Sequence, residues 1–358
     1  MAPREALHDG SPALVVAAQT MQALVQDRYG GPDVLRLADV PRPVPRQGEV
    51  LVRVEAASIN ARDWHVMRGE PRIARLMDRS LFGWRGPRLR VRGTDYAGVV
   101  EAVGPGASDW AVGDRVFGEA TQTLAEYVVA PTAAMARVPD GVSMQQAAAL
   151  PLAATTALEC LRAADPRPGA TVLVNGASGG VGTFVIQLAA SMRLHVTAVC
   201  SARNSDQARF LGAQRVIDYA REDFVASGST YDLVIDLVGN RSLRDLRGLV
   251  QPSGSLVLSG GGVPGEGRLV GPIGLLVRAQ LGKSRRGPTV FTPLASPAGE
   301  VLEDLAVLVA TGTISPVVDR TFGLDHAASA LHYMESDHTR GKVVVSLPSA
   351  PAHQVSEG

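Results

Sequence analysis

The stretch Val172-Leu-Val-Asn-Gly-Ala-Ser-Gly-Gly-Val-Gly182 decides how the rest of the chain is read. The apolar run Thr171–Asn175 predicts a buried strand. It passes straight into Ala177-Ser-Gly-Gly-Val-Gly182 and then into a pattern that predicts a helix over Val181–Met192. Glycines at such a turn let the backbone bend tightly and approach a pyrophosphate. The helix N-terminus adds oriented N–H donors and a partial positive charge. Alone, the motif is weak. After a strand, before a helix and within a strand–helix series it points to a dinucleotide; a glycine-rich turn with no ligand is the competing reading.

The series continues downstream. Strands are expected at His195–Val199, Arg215–Ile217, Leu233–Leu237 and Ser255–Leu258, with helices at Asp206–Leu211 and Arg241–Leu249. Strand–helix alternation with continuous Val/Ile/Leu strands predicts a doubly wound parallel sheet. The second strand closes on Val199-Cys-Ser-Ala-Arg-Asn204 and lacks the acid that an NAD site aims at the ribose 2′-hydroxyl. Ser201 and Arg203 suit a 2′-phosphate instead, so NADPH is expected over NADH. The bland alternative has Arg203 facing solvent.

Upstream the pattern is different. Met21–Val25, Val34–Leu37, Glu49–Ala56, Ala97–Val103, Arg115–Phe117 and Glu126–Val129 read as short strands punctuated by glycine and proline. They predict an antiparallel, barrel-like β domain. Met144–Leu150 and Thr155–Ala163 read as helical pieces, as do Gly299–Thr311 and Leu324–Met334. A late strand at Lys342–Leu347 is placed to return to the first domain. Pro71–Arg92 and Gly260–Pro297 are long and aperiodic, the composition of lids or insertions.

Composition narrows the function. The 358 residues suit two domains, and 35 basic against 35 acidic residues leave no net charge. That balance argues against a general nucleic-acid or membrane-surface binder. Only Lys283 and Lys342 are lysines. Two cysteines, Cys160 and Cys200, make neither a disulfide framework nor a four-thiolate zinc site, and a cytoplasmic location is the expectation.

The β domain followed by the glycine turn resembles the medium-chain dehydrogenase/reductase superfamily, and within it the zinc-free quinone oxidoreductase-like branch. The resemblance runs from about Met21 to Leu347. Its landmarks are Gly93-Thr-Asp-Tyr-Ala-Gly98, Val103-Gly104, Val112-Gly-Asp-Arg-Val116 and Leu150-Pro-Leu-Ala-Ala-Thr-Thr-Ala157, then the glycine turn, Leu211-Gly-Ala213 and Asp218-Tyr219. It implies a GroES-like antiparallel β-barrel domain (21–147 and 298–347) and a Rossmann doubly wound NADPH-binding domain (148–297). Residues 1–20 would be a leader and 348–358 a tail. The active site would lie in the cleft between the domains.

The resemblance also implies roles. Tyr219 matches a tyrosine that helps hold the 2′-phosphate, with a core tyrosine as the alternative. Thr155 matches a position beside the nicotinamide, with capping of its helix as the alternative. Ser178, Gly179, Gly180 and Val181 form the phosphate turn. Val238, Gly239 and Ser259 match loops that line the cofactor, and Lys342 is a further cofactor contact. Zinc-dependent relatives carry Cys and His where this chain has Asn60 and Thr94, so no zinc is expected.

Without a metal, hydrogen bonds must polarise the acceptor, which favours hydride transfer to an enone, enal or quinone. Catalytic candidates are His65, Asn60 and Tyr96. His65 aligns with a proton-relay histidine, although a lone histidine beside Trp64 is more often structural. Asn60 orients the nicotinamide ribose or the substrate oxygen, or else satisfies buried backbone. Tyr96 is a second proton-donor candidate, and Asp63 and Asp95 orient or line. The rival functions are a zinc-free alcohol dehydrogenase or carbonyl reductase, and a non-catalytic NADPH-binding redox sensor. A trans-acting enoyl reductase for carrier-bound substrates lies between them. A small-molecule electrophile is the expected partner, with no nucleic acid, no membrane and, by analogy, a homodimer.

Overall fold

The computed structural model describes residues 19–260, 287–296, 298–336 and 339–348. Most of the expected leader, tail and 260–297 insertion lie outside these residues. Strands β1 (Thr20–Gln26) and β2 (Leu35–Pro41) form an antiparallel pair. β3 (Glu49–Ile59), β4 (Asp95–Val103), β5 (Arg115–Glu119), β6 (Tyr127–Pro131) and β7 (Met135–Arg137) build the barrel sheet by antiparallel pairing. Val50, Val52 and Val54 alternate inward along β3 and fill this sheet's own core with Tyr96 and Val116.

Strands β8 (Thr171–Asn175), β9 (His195–Cys200), β10 (Arg215–Asp218), β11 (Tyr231–Asp236), β12 (Val250–Leu258) and β13 (Thr289–Phe291) form the second sheet. Its order is β10-β9-β8-β11-β12-β13, and every pair is parallel. This is the Rossmann order, which reverses direction between β8 and β11; ligands bind outside the strand ends at such a switch point.

The chain then returns. β14 (Val318–Gly323) pairs parallel with β15 (Lys342–Ser346), and β15 pairs antiparallel with β3, Val343 opposite Ile59. The last strand is therefore part of the first sheet, which brings Lys342 to the side of Asn60. One apolar core joins the two sheets: Val174 and Ile235 of the parallel sheet belong to it together with Ala97, Phe117 and Val344. Leu302 and Leu305 of the helix Gly299–Ala310 enter the same core, so that helix bridges the two units instead of packing within the barrel alone.

Three strands carry too little pattern to be expected from sequence. β7 and β13 have three residues each, and β14 is a half-exposed edge reading Val-Asp-Arg-Thr-Phe-Gly. Pro71–Arg92 is not featureless either. It holds a short helix, Ala74–Met77, and bridges that pair Phe82 with Pro87 and Val25 with Val91.

Candidate active site

The helix that follows the glycine turn spans Gly180–Ser191, one residue earlier than its sequence pattern suggests. Gly182 is forced by packing: a Cβ there would stand 2.3 Å from the Gly176 carbonyl oxygen. At Gly180 a Cβ would meet the Lys342 side chain at 2.8 Å. The turn is therefore bare backbone on one side and the lysine stem on the other. A cleft of about 230 Å³ runs between them. Of the cofactor candidates named from sequence, Gly179, Gly180, Val181, Ser259, Asn60 and Lys342 line it; Ala153, Leu237 and Met334 join them.

At the switch point, Asn175 at the end of β8 donates to Asp236 Oδ1 at the end of β11, at 2.8 Å. Asp236 also accepts the Gly239 N–H at 3.2 Å and the Val238 N–H at 3.2 Å. The loop holding Val238 and Gly239 is thereby fixed by its own carboxylate. Ser178 completes the turn ahead of the Gly179 N-cap.

Two hydroxyls that sequence names as cofactor contacts are buried without partners. Thr155 is 2% exposed and its Oγ1 has no hydrogen-bond partner. Its helix starts at Pro151, so Thr155 stands in the second turn and cannot cap it. Ser201 Oγ, just past the end of β9, is likewise buried and unpaired. Buried hydroxyls cost free energy unless they are bonded. Neither lines the cleft of Gly180 and Lys342, and each can donate to a ligand that supplies an acceptor. Arg203 follows Ser201 in a short 3₁₀ turn, and Tyr219 at the foot of β10 is 43% exposed, which removes the core alternative.

Asn60 precedes the helix Ala61–Arg68, and its side chain is fully engaged. Its Nδ2 donates to Asp95 Oδ2 at 2.9 Å, while its Oδ1 accepts from the Lys342 ammonium. Lys342 Nζ also donates to the Ile59 carbonyl at 3.3 Å and lies 3.7 Å from Asp95 Oδ2. Ser58 Oγ and the Leu152 N–H complete the shell of Asp95 at 3.0 and 3.3 Å. Burial pushes the Asp95 carboxyl up and the Lys342 ammonium down, and each charge opposes the other's shift.

Asp63 reaches back to the Asn60 N–H at 2.8 Å and accepts from Thr94 Oγ1 at 2.9 Å. The Asn60–Thr94 neighbourhood is thus a closed network of amide, hydroxyl, ammonium and carboxylates. Its donors are committed to one another, Asn60 Oδ1 already accepts from the Lys342 ammonium, and amide and hydroxyl replace thiolate and imidazole poorly, so these residues do not fit a zinc ion. Among the described residues no group of three His, Cys, Asp or Glu side chains is placed to hold a metal.

Two catalytic candidates are not brought to the cleft. Tyr96 is fully buried in the barrel core with its hydroxyl unpaired, and burial pushes that hydroxyl far above its ordinary range. It is a core residue, which corrects its reading as a proton donor. His65 turns its Nδ1 to the Glu70 carbonyl at 2.9 Å and stands edge-on to Trp64 with ring centroids 4.7 Å apart. Sequence reasoning missed Arg62 and Glu119, which form an ion pair at 2.7 Å in a second cavity beside the first. The available signal was a glutamate inside the buried run Val116-Phe-Gly-Glu119.

Residues 46–140 match the alcohol dehydrogenase GroES-like domain, and residues 211–345 match the zinc-binding dehydrogenase family. The chloroplast envelope quinone oxidoreductase homolog of Arabidopsis thaliana is 31% identical over 345 residues, 92% of this chain and 99% of that protein. The chain belongs to the medium-chain dehydrogenase/reductase superfamily, in its quinone oxidoreductase-like branch. A second relative from that plant, the chloroplastic NADPH-dependent alkenal/one oxidoreductase, is 31% identical over 91% of this chain and 79% of its own. The quinone oxidoreductase of Coxiella burnetii superposes with a TM-score of 0.77 at 30% identity, covering 92% of this chain and all of that one.

Membership of this superfamily makes the chain an oxidoreductase with a GroES-like and a Rossmann domain. It also corrects the cytoplasmic expectation, because both plant relatives carry chloroplast locations in their names. Few cysteines record a reducing compartment, and an organelle interior can be one; the count does not separate it from the cytosol. Among the described residues no helix is long and apolar enough to cross a membrane.

Proposed function

We propose that the protein reduces the activated double bond of an enone or enal, or a quinone, with NADPH as the reductant and no metal. The observation that carries this is the cleft between the bare glycine turn and Lys342, with two buried, unpaired hydroxyls on neighbouring elements: Thr155 in the helix Pro151–Ala164 and Ser201 just past the end of β9. The names of the relatives, quinone oxidoreductase and NADPH-dependent alkenal/one oxidoreductase, support the acceptor class.

In this reading the amides at the start of the helix Gly180–Ser191 receive the pyrophosphate. Ser201, Arg203 and the exposed Tyr219 hold the 2′-phosphate through hydroxyl and guanidinium donors. Thr155 anchors the nicotinamide end. The bound cofactor supplies a hydride. Lys342 adds positive charge to the wall that faces an anionic ligand and holds Asn60 in place, so the asparagine acts by fixing the cleft's shape. The chain's share of catalysis is orientation and a preorganised polar wall. The homodimer expected by analogy belongs to the same proposal and is settled by sedimentation.

The test is anaerobic oxidation of NADPH and of NADH against an enone, an enal, two quinones and a saturated ketone, with product analysis. Saturated products from the enone or enal, or quinol, with NADPH preferred, is the expected outcome. An alcohol from the saturated ketone alone, or a preference for NADH, overturns it.

A further inference from the structure

The cofactor cleft has a neighbour. A cavity of about 340 Å³ lies on the barrel side of the turn Asn60–Asp63, walled by Arg62, Asp63, Thr94 and Glu119, with Leu81 and Leu89 of the Pro71–Arg92 segment opposite. Glu119 ends β5 directly across from Asp95 in the sheet register and is 8% exposed. Its Oε1 accepts from Arg62 Nη1 at 2.7 Å. Asp63, on the wall of this cavity, bonds the backbone N–H of Asn60, which lines the cofactor cleft. The two spaces therefore meet at the first turn of the helix Ala61–Arg68, with Asn60 and Ala61 lining one and Arg62 and Asp63 the other. One side is shaped for a dinucleotide; the other sets the apolar Val66, Leu81, Leu89 and Val91 beside the Arg62–Glu119 pair, with Glu49, Asp63 and Arg92 also on its walls, a small-acceptor site by chemistry.

We propose that this cavity seats the electrophilic acceptor, that Glu119 is the acid that protonates it after reduction, and that Arg62 is the residue that positions the Glu119 carboxyl. This rests on the reductase reading above. Hydride addition to the β-carbon of an enone leaves an enolate. The Glu119 O–H bond then breaks as a C–H bond forms at the α-carbon. For a quinone, an O–H bond forms at oxygen instead. The O–H electron pair stays on the Glu119 carboxylate, which Arg62 holds, and a solvent proton restores the acid. The step itself transfers no electrons between reactants, because the two-electron reduction is complete with the hydride.

The surroundings suit an acid that must exist in both forms. Burial pushes Glu119 up to about 7, and the Asp95 and Asp63 carboxylates push the same way. Arg62 opposes them, and Lys342 on β15 lies within electrostatic reach. A donor works best when its pKa is near the working pH. Arg62 itself is 41% exposed along its side chain, so the pair stands between solvent and cavity, where reprotonation needs no long relay.

The experiment compares the full chain with Glu119→Gln and Glu119→Asp. Infrared titration of the carboxyl band is read without substrate; kcat across pH is read with an enone, and NADPH affinity by fluorescence. The expected result is a wild-type carboxyl band that titrates near about pH 7 and is missing from E119Q. In E119Q, kcat falls on the order of 10²-fold or more and loses its decline above that pH, while NADPH affinity stays unchanged. E119D recovers part of the rate. A wild-type band titrating in the ordinary carboxylate range overturns the proposal even if E119Q fails to fold, and so does an E119Q enzyme with unaltered kcat and pH profile. If the wild type consumes neither enone nor quinone, the reductase reading has failed and this one falls with it; the infrared result tells the two failures apart.

Discussion

Lys342 Nζ stands 3.7 Å from Asp95 Oδ2, and neither side chain is more than 3% exposed. Asn60 bonds both, so one buried ammonium, one buried carboxylate and one amide form a closed triangle on the wall of the cofactor cleft. Truncating Lys342 to Met leaves Asp95 without its cation, and breaking a buried pair in this way costs about 3–5 kcal/mol. K342M is expected to lose stability on that scale in chemical denaturation. The double variant K342M/D95N should regain most of it. Equal stability of the single and double variants would show that the pairing contributes nothing.

Thr155 gives the opposite sign. Its hydroxyl is buried without a partner, so Thr155→Val removes a polar cost and keeps the shape. The apo protein should be as stable as the wild type or slightly more so, while NADPH binding weakens by about tenfold, the worth of one hydrogen bond. Thermal unfolding with and without NADPH reads both effects in one experiment. A destabilised apo protein with intact NADPH affinity would place Thr155 in the core alone.

Ser201 and Arg203 should separate the two nicotinamide cofactors. Ser201→Ala and Arg203→Ala each remove donors suited to a charged phosphate, worth about 1.5–3 kcal/mol, or roughly 10- to 100-fold in affinity. The loss should fall on NADPH and spare NADH. A uniform loss on both cofactors would assign these residues to the fold of the β9 end.

The two cradle glycines should behave differently. Gly182→Ala drives a methyl into the Gly176 carbonyl, a backbone atom that cannot yield, and the protein should lose cofactor binding with loss of stability. At Gly180 the obstacle is the stem of Lys342, which can move. Gly180→Ala should fold, and the lysine should leave Asn60. Denaturation midpoints for the pair, with NADPH titrations, check the order.

Glu119 also ties stability to pH. Its folded value, about 7, is above the unfolded 4.5. The folded state therefore keeps a proton that the unfolded chain has released. This contribution is fully present below about pH 4.5 and is lost as pH rises to about 7. It amounts to on the order of 3 kcal/mol across the window. Glu119→Gln should flatten the fall in melting temperature over that range, and an unchanged profile would assign the pH dependence to other groups.

Much of this architecture is legible in the sequence because burial writes a pattern. Val172–Val174 is apolar throughout because cores lie on both faces of its sheet, and glycine stands at 182 because a Cβ there would strike the Gly176 carbonyl. β14 was not legible: as an edge strand it alternates poorly and is stabilised by pairing with β15. The acceptor side of the site was hidden for a related reason. Arg62 and Glu119 are 57 residues apart and meet through the registers of β3 with β4 and of β4 with β5, which no local period encodes. Tyr96 misled because its motif is shared with cleft residues while its ring turns to the other face of β4, into the core.

The pairing of β15 with β3 has a consequence for biosynthesis. Lys342 and Ile59, bonded across that seam, are 283 positions apart. A chain leaving the ribosome presents β3 and then waits for β15, whose first residue comes 283 positions after Ile59. The six strands of the parallel sheet are all synthesised in between. Until β15 is made, the segment Ala56–Ile59 of β3 has no strand on that edge, the kind of surface that recruits chaperones or other strands. Translation arrested shortly before Lys342 would yield a particle with a finished nucleotide fold and an open seam, prone to pair with its own kind.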